Sequence, residues 1–260
     1  MILDDDIHLA HRLADAAGAA IRPFYRAEFG LETKADASPV TLADKAAEAA
    51  IRKLLLAERP RDGIIGEEFG TEREGAARQW VLDPIDGTTS FVAGRPIFGT
   101  LIALMQDGWP VLGVIDQPIL KERWLGAAGM PTTFNGQPCR TRACPSLAEA
   151  ALATSGPHYF DDHQGSHFMA LAARSDHKRM VMGGDCYNYG LLASGHIDLV
   201  CEANLKLHDW AALVPVIEGA GGTVCDWNGD PLQAGSRGDV LALGDPARLE
   251  DAVAALACGH

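Results

Sequence analysis

A mixed α/β fold, with two packed halves around a cleft, is what this sequence predicts, and three observations predict it. Two stretches at the start carry apolar residues at helical spacing. Short apolar runs broken by Gly, Pro and Asp follow, out to about residue 126. From about residue 146 short strand-like runs alternate with helical stretches. The chain has 260 residues, 47% of them hydrophobic, enough for a substantial core. The change of pattern divides it into an N-terminal α+β half, residues 1–145, and a C-terminal α/β half, residues 146–260.

In order, Leu3, Ile7, Ala10, Ala14, Ala17, Ile21 and Phe24 form one apolar stripe, which predicts a helix over 3–24. A polar loop follows from Glu32 to Pro39. Thr41 starts a second helix running to Leu56, with Thr41-x-x-Asp44 resembling a capping box. Strands are expected at Gly63–Gly66, Gln79–Leu82, Gly99–Met105, Val111–Ile115 and Arg123–Gly126, forming an antiparallel sheet packed on the two helices. Asp107-Gly108 between two of them is a hairpin signal. In the second half, strands are expected at Ala151–Thr154, Val181–Met182, Leu199–Cys201, Thr223–Cys225 and Val240–Leu243. Helices are expected near 161–175, 187–194, 209–219 and 246–257.

The formal net charge of −13 argues against nucleic acid or an anionic membrane as a partner. An anionic substrate would also be repelled, unless bound cations reverse the local field. No apolar run approaches the roughly 20 residues that span a bilayer, and the acidic start lacks the form of a secretion signal. The six cysteines form no CxxC pair and read as reduced thiols of a cytoplasmic protein. The nine histidines form no metal-spaced cluster; surface placement is the default for His158 and His208, with approach to the cleft as the alternative.

The chemistry concentrates in Trp80-Val81-Leu82-Asp83-Pro84-Ile85-Asp86-Gly87-Thr88-Thr89. An apolar strand ends in two aspartates three apart, and a short helix opens after Gly87. Like charges at one strand end repel, unless divalent cations sit between them. Free N–H groups at the following helix start suit a phosphate. Glu67 and Glu68 end another apolar run, Asp209 precedes Trp210-Ala211-Ala212-Leu213, and Asp44 lies in the first turn of the second helix. Singly, an aspartate at a helix start is more often a cap, a Glu-Glu pair more often solvated surface, and Asp-Pro-x-Asp-Gly can be an acidic turn. Together they read as an oxygen-ligand site for hard cations, Mg²⁺ or Mn²⁺ rather than Zn²⁺.

These motifs in this order resemble the inositol monophosphatase family: Gly66-Glu67-Glu68, Asp83-Pro84-Ile85-Asp86-Gly87-Thr88-Thr89, Asp209-Trp210-Ala211-Ala212 and Gly219-Ala220-Gly221-Gly222. The likeness extends over nearly the whole chain, from Lys34 and Ser38-Pro39-Val40-Thr41 onward. One departure is that the family usually has Trp-Asp where this chain has His208-Asp209. Gly113-Val114-Ile115-Asp116-Gln117-Pro118, Glu122-Arg123-Trp124, Gly184-Asp185-Cys186-Tyr187 and Asp198 through Lys206 bring it nearest the histidinol-phosphatase branch.

The resemblance implies a layered αβαβα sandwich and a Mg²⁺-dependent phosphomonoesterase with two or three ions per site, Mn²⁺ being able to substitute. It implies that Glu67, Asp83 and the Ile85 carbonyl hold a first ion, and that Asp83, Asp86 and Asp209 hold a second. Asp44 and Thr88, with Glu67, would serve the attacking water. The N–H groups of Gly87 and Thr88 would cradle the phosphate. Glu202, seven residues before Asp209, would meet the organic part of the substrate together with Asp209, and Asp185 is a second candidate. The expected substrate is a small phosphorylated alcohol, L-histidinol phosphate, with inositol 1-phosphate or a related sugar-alcohol phosphate as the alternative, and a homodimer is the expected assembly. A non-catalytic binding protein on the same scaffold would be marked by loss of metal ligands, and none is lost here.

Overall fold

The computed structural model describes residues 4–27, 31–33 and 39–257. Lys34, Ser38, Cys258 and the side chain of Thr41 lie outside what is described, and with them the expected capping box. The first helix, α1 (Asp4–Ile21), buries Leu9, Ala10, Leu13, Ala14, Ala17 and Ile21, the stripe its spacing predicts. Asp4, Asp5 and Asp6 in its first turn suit the helix dipole. Buried Asp6 also accepts from Arg59 and Arg78, tying the start of α1 to the end of the second helix and the start of a central strand.

Two short strands, β1 (Leu31–Thr33) and β2 (Pro39–Thr41), pair with each other ahead of α2 (Leu42–Glu58). Next come β3 (Gly63–Gly66), β4 (Gly70–Glu72), β5 (Arg78–Asp86), a short helix α3 (Thr88–Val92), β6 (Gly99–Gln106), β7 (Trp109–Gln117), β8 (Glu122–Ala127), β9 (Thr133–Phe134) and β10 (Gln137–Pro138). They form an eight-stranded sheet of order β10-β9-β8-β7-β6-β5-β3-β4. The β6–β7 hairpin turns at Asp107 (φ 52°) and Gly108 (φ 84°), both left-handed as a two-residue turn requires. The sheet is not wholly antiparallel as the sequence suggested: β3 runs parallel to β5. Apolar alternation reports which face a residue occupies and says nothing of strand direction.

The remaining elements are β11 (Leu152–Thr154), α4 (Asp162–Arg174), β12 (Val181–Met182), α5 (Asp185–Ala193), β13 (Leu199–Glu202), α6 (Leu207–Trp210), α7 (Leu213–Gly219), β14 (Thr223–Cys225), β15 (Val240–Leu243) and α8 (Leu249–Leu256). The five strands form a mixed sheet of order β12-β11-β13-β15-β14. The single helix expected near 209–219 is broken in two at Ala211-Ala212. Pro215 gives the reason: it lacks an N–H and is tolerated only in a first turn, where α7 places it.

Three apolar clusters define five layers. Leu9, Leu13 and Ile51 pack with Trp80, Leu82, Ile102 and Leu104 between α1/α2 and one face of the large sheet. Val81, Leu101 and Ala103 point from its other face toward Tyr189 of α5, Val216 of α7 and Val200 of the small sheet. Leu199, Cys201 and Leu241 face the opposite way, onto Phe168 of α4 and Leu256 of α8. The result is an αβαβα sandwich. No described helix is long and apolar enough to cross a membrane.

The middle layer is unusually close. A Cβ on Gly113 of β7 would overlap the Ala212 carbonyl, and one on Gly126 of β8 would overlap the Pro215 carbonyl. The backbone entering α7 therefore lies directly on the sheet. Gly113→Ala is expected to cost about 3 kcal/mol, the upper end for overpacking, because the obstacle is backbone on both sides. Urea denaturation checks this, and a loss under about 0.5 kcal/mol would contradict the packing.

Candidate active site

Strand parity and one bulge build the site. Asp83 has the parity of Val81, so it faces the middle layer. Asp86, three residues on, would face away along a regular strand. The register slips between Asp83, opposite Leu101, and Asp86, opposite Gly99, and this bulge returns Asp86 to the same side. Pro84, which has no N–H to give the ladder, sits in the bulge. Its carbonyl accepts from buried Thr100 Oγ1 at 2.7 Å, and the Ile85 N–H donates to Asp83 Oδ1 at 3.1 Å.

The parallel pairing of β3 with β5 decides where Glu67 goes. Gly66 lies opposite Leu82, and the Glu67 N–H donates to the Leu82 carbonyl at 3.2 Å, so Glu67 and Asp83 leave the same sheet end side by side. Buried Glu48 of α2 holds the next residues, accepting from the N–H groups of Glu68 (2.8 Å) and Phe69 (3.2 Å) and from Arg52 Nε (2.7 Å). Gly66 is required there, since a Cβ would overlap the Glu48 carboxylate. Of the adjacent glutamates only Glu67 lines the cavity. Asp44 is buried in the first turn of α2, close enough to Asp83 to raise its pKa.

Asp209 arrives on α6, its Oδ2 accepting from the Lys206 N–H at 2.7 Å. Carboxylate oxygens of Asp83, Asp86 and Asp209 lie within 4.8 Å of one another. A second group within the same limit joins Glu67 and Asp83 to a ring nitrogen of His208. Burial first, then mutual repulsion with Glu67, Asp86, Asp209 and Asp44, holds Asp83 well above the usual carboxylate range. Burial likewise raises Asp86, followed by repulsion from Asp185 and Asp209, against the hydrogen bond from the Cys186 N–H (2.6 Å). Asp209 is raised mainly by burial, with His208 opposing. Hard oxygen donors gathered and desolvated in this way fit divalent cations, whose charge would bring all three carboxyls back to the ionised form.

Gly87, with φ 86°, caps α3; a side chain there would be strained and would meet Asp185 Oδ2 at 2.7 Å. The Thr88 hydroxyl donates to the Ile85 carbonyl at 3.0 Å. That carbonyl keeps a second lone pair, and the Thr88 oxygen keeps acceptor capacity.

These residues line one wall of a cavity of about 480 Å³. The opposite wall comes from the small sheet. Glu202 ends β13 with the parity of Val200, hence faces the middle layer, and is 2% exposed. Ser155 donates both its N–H and its hydroxyl to Glu202 Oε1, at 2.7 and 2.8 Å. Burial pushes Glu202 up to about 8, with the Ser155 bonds opposing. Asp185 opens α5 with a left-handed φ of 43°, an uncommon conformation for aspartate. Its Oδ2 accepts from Ser90 Oγ at 3.4 Å, and burial raises its pKa.

Every site residue expected from the sequence except Asp44 lines this cavity. His158 and His208 both line the cavity, the alternative to a plain surface placement: His158 is exposed at its rim, whereas His208 is half-buried and joins a metal-competent group although the sequence spaces no histidines for one. Ligands need only be adjacent in space. Ser155 and Tyr159 also line it without having been singled out, as do Asn204 and Lys206, which the sequence marked only as part of the stretch from Asp198 to Lys206 and gave no role. Their one sequence signal is position, just beyond the strand ends at Thr154 and Glu202. The described cysteines are free thiols, as expected.

Strand-end carboxylates that can hold cations, facing a glycine-led helix start, define a hydrolase of phosphate esters. The family model for the inositol monophosphatase family matches residues 3–259. The chain belongs to that family, whose members are generally metal-dependent phosphatases acting on phosphomonoesters. It is 50% identical over 229 residues to the bifunctional phosphatase IMPL2, chloroplastic, of Arabidopsis thaliana, covering 87% of this chain and 66% of that one. It is 34% identical over 256 residues to the histidinol-phosphatase of Chlorobaculum parvum, covering 98% of each. Among solved structures, an inositol monophosphatase from Zymomonas mobilis superposes with a TM-score of 0.90 at 53% identity, over 98% of each chain.

Proposed function

We propose that this chain hydrolyses L-histidinol phosphate to L-histidinol and phosphate, as a Mg²⁺-dependent cytoplasmic homodimer with two or three ions per site. The observation that carries the substrate is Glu202: a buried carboxylate on the cavity wall opposite the strand-end carboxylates, oriented by Ser155. A phosphate held at Gly87 and Thr88 would leave the organic part of the ester toward that wall. An ammonium there would gain a charge-assisted hydrogen bond and relieve the unfavourable burial of the carboxylate. The kinship with a named histidinol-phosphatase supports this choice. The likeness to a named inositol monophosphatase supports the alternative, inositol 1-phosphate, whose hydroxyls could also donate to Glu202.

Glu67, Asp83 and the Ile85 carbonyl would hold one cation, and Asp83, Asp86 and Asp209 a second. The cations would supply charge neutralisation, an acidified water and support for the leaving oxygen. Asp44, Glu67 and Thr88 would align that water, and the N–H groups of Gly87 and Thr88 would hold the phosphate oxygens. Residues 1–145 would then carry most of the ion-binding half and residues 146–260 Asp209 and the specificity wall. Val181 and Met182, exposed on edge strand β12, offer apolar surface to a second copy.

Phosphate release from histidinol phosphate, inositol 1-phosphate and 3′-phosphoadenosine 5′-phosphate, with and without chelator, tests the reading. Preference for inositol 1-phosphate would overturn the substrate and leave the phosphatase. Glu202→Gln is expected to lower kcat/KM on histidinol phosphate about 10- to 100-fold, at about 1.4 kcal/mol per decade, and to affect p-nitrophenyl phosphate much less. The pH sign follows from the raised pKa of about 8: an ammonium needs the ionised carboxylate, so KM for histidinol phosphate should fall as pH rises from 7 to 8. Equal losses on both substrates would show that Glu202 supports the ion site instead.

A further inference from the structure

We propose that His208 is itself a cation ligand, completing a nitrogen-and-oxygen set with Glu67 and Asp83. This makes the first ion site favour first-row transition cations, Mn²⁺ among them, over Mg²⁺. The proposal rests on the cation-binding reading above and goes beyond the all-oxygen set expected from the sequence.

Three observations carry it. A ring nitrogen of His208 and carboxylate oxygens of Glu67 and Asp83 all lie within 4.8 Å of one another. Donors around a single ion bound at about 2.1 Å are spaced by roughly 3 to 4 Å, so a small rotation of side chains brings all three onto one ion. His208 Nε2 also lies 3.5 Å from Asp209 Oδ1, which sets the ring beside the second carboxylate group rather than out in solvent. Finally, the side chain is only 13% exposed and lines the cavity. It occupies the position where the chain departs from the Trp-Asp pattern it otherwise resembles. An indole offers no lone pair to a metal, whereas a neutral imidazole does. This one residue therefore changes the donor set without adding charge.

Chemistry sets the consequence. Mg²⁺ takes hard oxygen ligands and sheds water reluctantly. An imidazole nitrogen suits later first-row ions, in the rising order from Mn²⁺. The site should keep Mg²⁺ binding through its carboxylates and gain affinity selectively for Mn²⁺ through His208. The competing role for the ring is a protonated partner of Asp209. An imidazolium cannot ligate, so the two roles exclude each other at a given ion occupancy.

Mn²⁺ itself is the probe. The full-length protein is stripped with chelator, loaded with Mn²⁺ and measured by pulsed electron paramagnetic resonance. Echo-envelope modulation from a directly bound imidazole ¹⁴N is expected in the wild type and its loss in His208→Gln. Mn²⁺ affinity, read from the free-ion signal, is expected to weaken about 10-fold in that variant, while Mg²⁺ affinity by competition changes less than about twofold. Stoichiometric Mn²⁺ binding by the wild type without ¹⁴N modulation would overturn the proposal and leave the cation site standing. Modulation that persists in His208→Gln would assign the nitrogen to another residue and also overturn it. Absence of Mn²⁺ binding by the wild type would overturn the cation reading as a whole, so the two failures are distinguishable.

Discussion

Asp83→Asn is expected to give a folded protein whose turnover is lower by about 10³-fold or more. Removing one preorganised electrostatic group from a reacting centre costs about 10²–10³, and Asp83 belongs to both carboxylate groups, so both lose charge together. The amide nearly preserves shape and can still accept from the Ile85 N–H. Stability should move the other way. In chelator, Asp83, Asp86 and Asp209 all have raised pKa values. The folded state then binds more protons than the unfolded chain above about pH 4, so stability falls as pH rises through the folded pKa values. Asp83→Asn removes one of these protons and the repulsion around it. The stripped variant should therefore lose less stability than wild type between pH 5 and 8, and gain less from added Mg²⁺. Chemical denaturation at both pH values, with and without Mg²⁺, measures this. Near-wild-type turnover by the folded variant would sink the two-ion assignment.

Glu48→Ala should be the most damaging change outside the cavity. Glu48 is fully buried and paired with Arg52, itself 7% exposed at the side chain. Breaking a buried pair by removing one partner costs about 3–5 kcal/mol. Arg52 keeps its bonds to Glu72 and the Gly70 carbonyl, which argues for the lower end. The N–H groups of Glu68 and Phe69 lose their acceptor, and Glu67 sits on the chain they anchor. A displacement of about 1 Å at a positioned group costs about 10² in rate, so kcat should fall by that order and cation affinity with it. Glu48→Gln retains an acceptor and should recover much of the rate while still losing the ion pair. Glu48→Ala with wild-type kcat and Mg²⁺ affinity would show that the clamp does not position Glu67.

The reach of the sequence differed by element for physical reasons. α1 and α2 were legible because each buries one face at helical spacing, and β6 and β7 because most of their residues are buried on both faces, which leaves continuous apolar runs between turn residues. β9 and β10, two residues each, carry too little pattern to read. Asp83 and Asp86 were legible because turn formers and carboxylates fall within one short stretch. Glu48 was not, because one buried acid among Ala and Ile on a helix face looks like any surface glutamate. The grouping of His208 with Glu67 and Asp83 was not legible because those neighbours lie more than a hundred positions away in the chain and meet it through the packing of α6 on β5.

The contact of backbone on backbone at Gly113 and Gly126 governs how the molecule can move. Shear between packed layers works by side chains changing rotamer across the seam, and at these two contacts there are none to change. The large sheet and the segment that delivers Asp209 are therefore expected to travel together, with little sliding along that seam. Admission of substrate and departure of phosphate then fall to the rim around Ser155–Tyr159 and Asn204–Lys206, short stretches that can yield without disturbing the geometry of the charges beneath them.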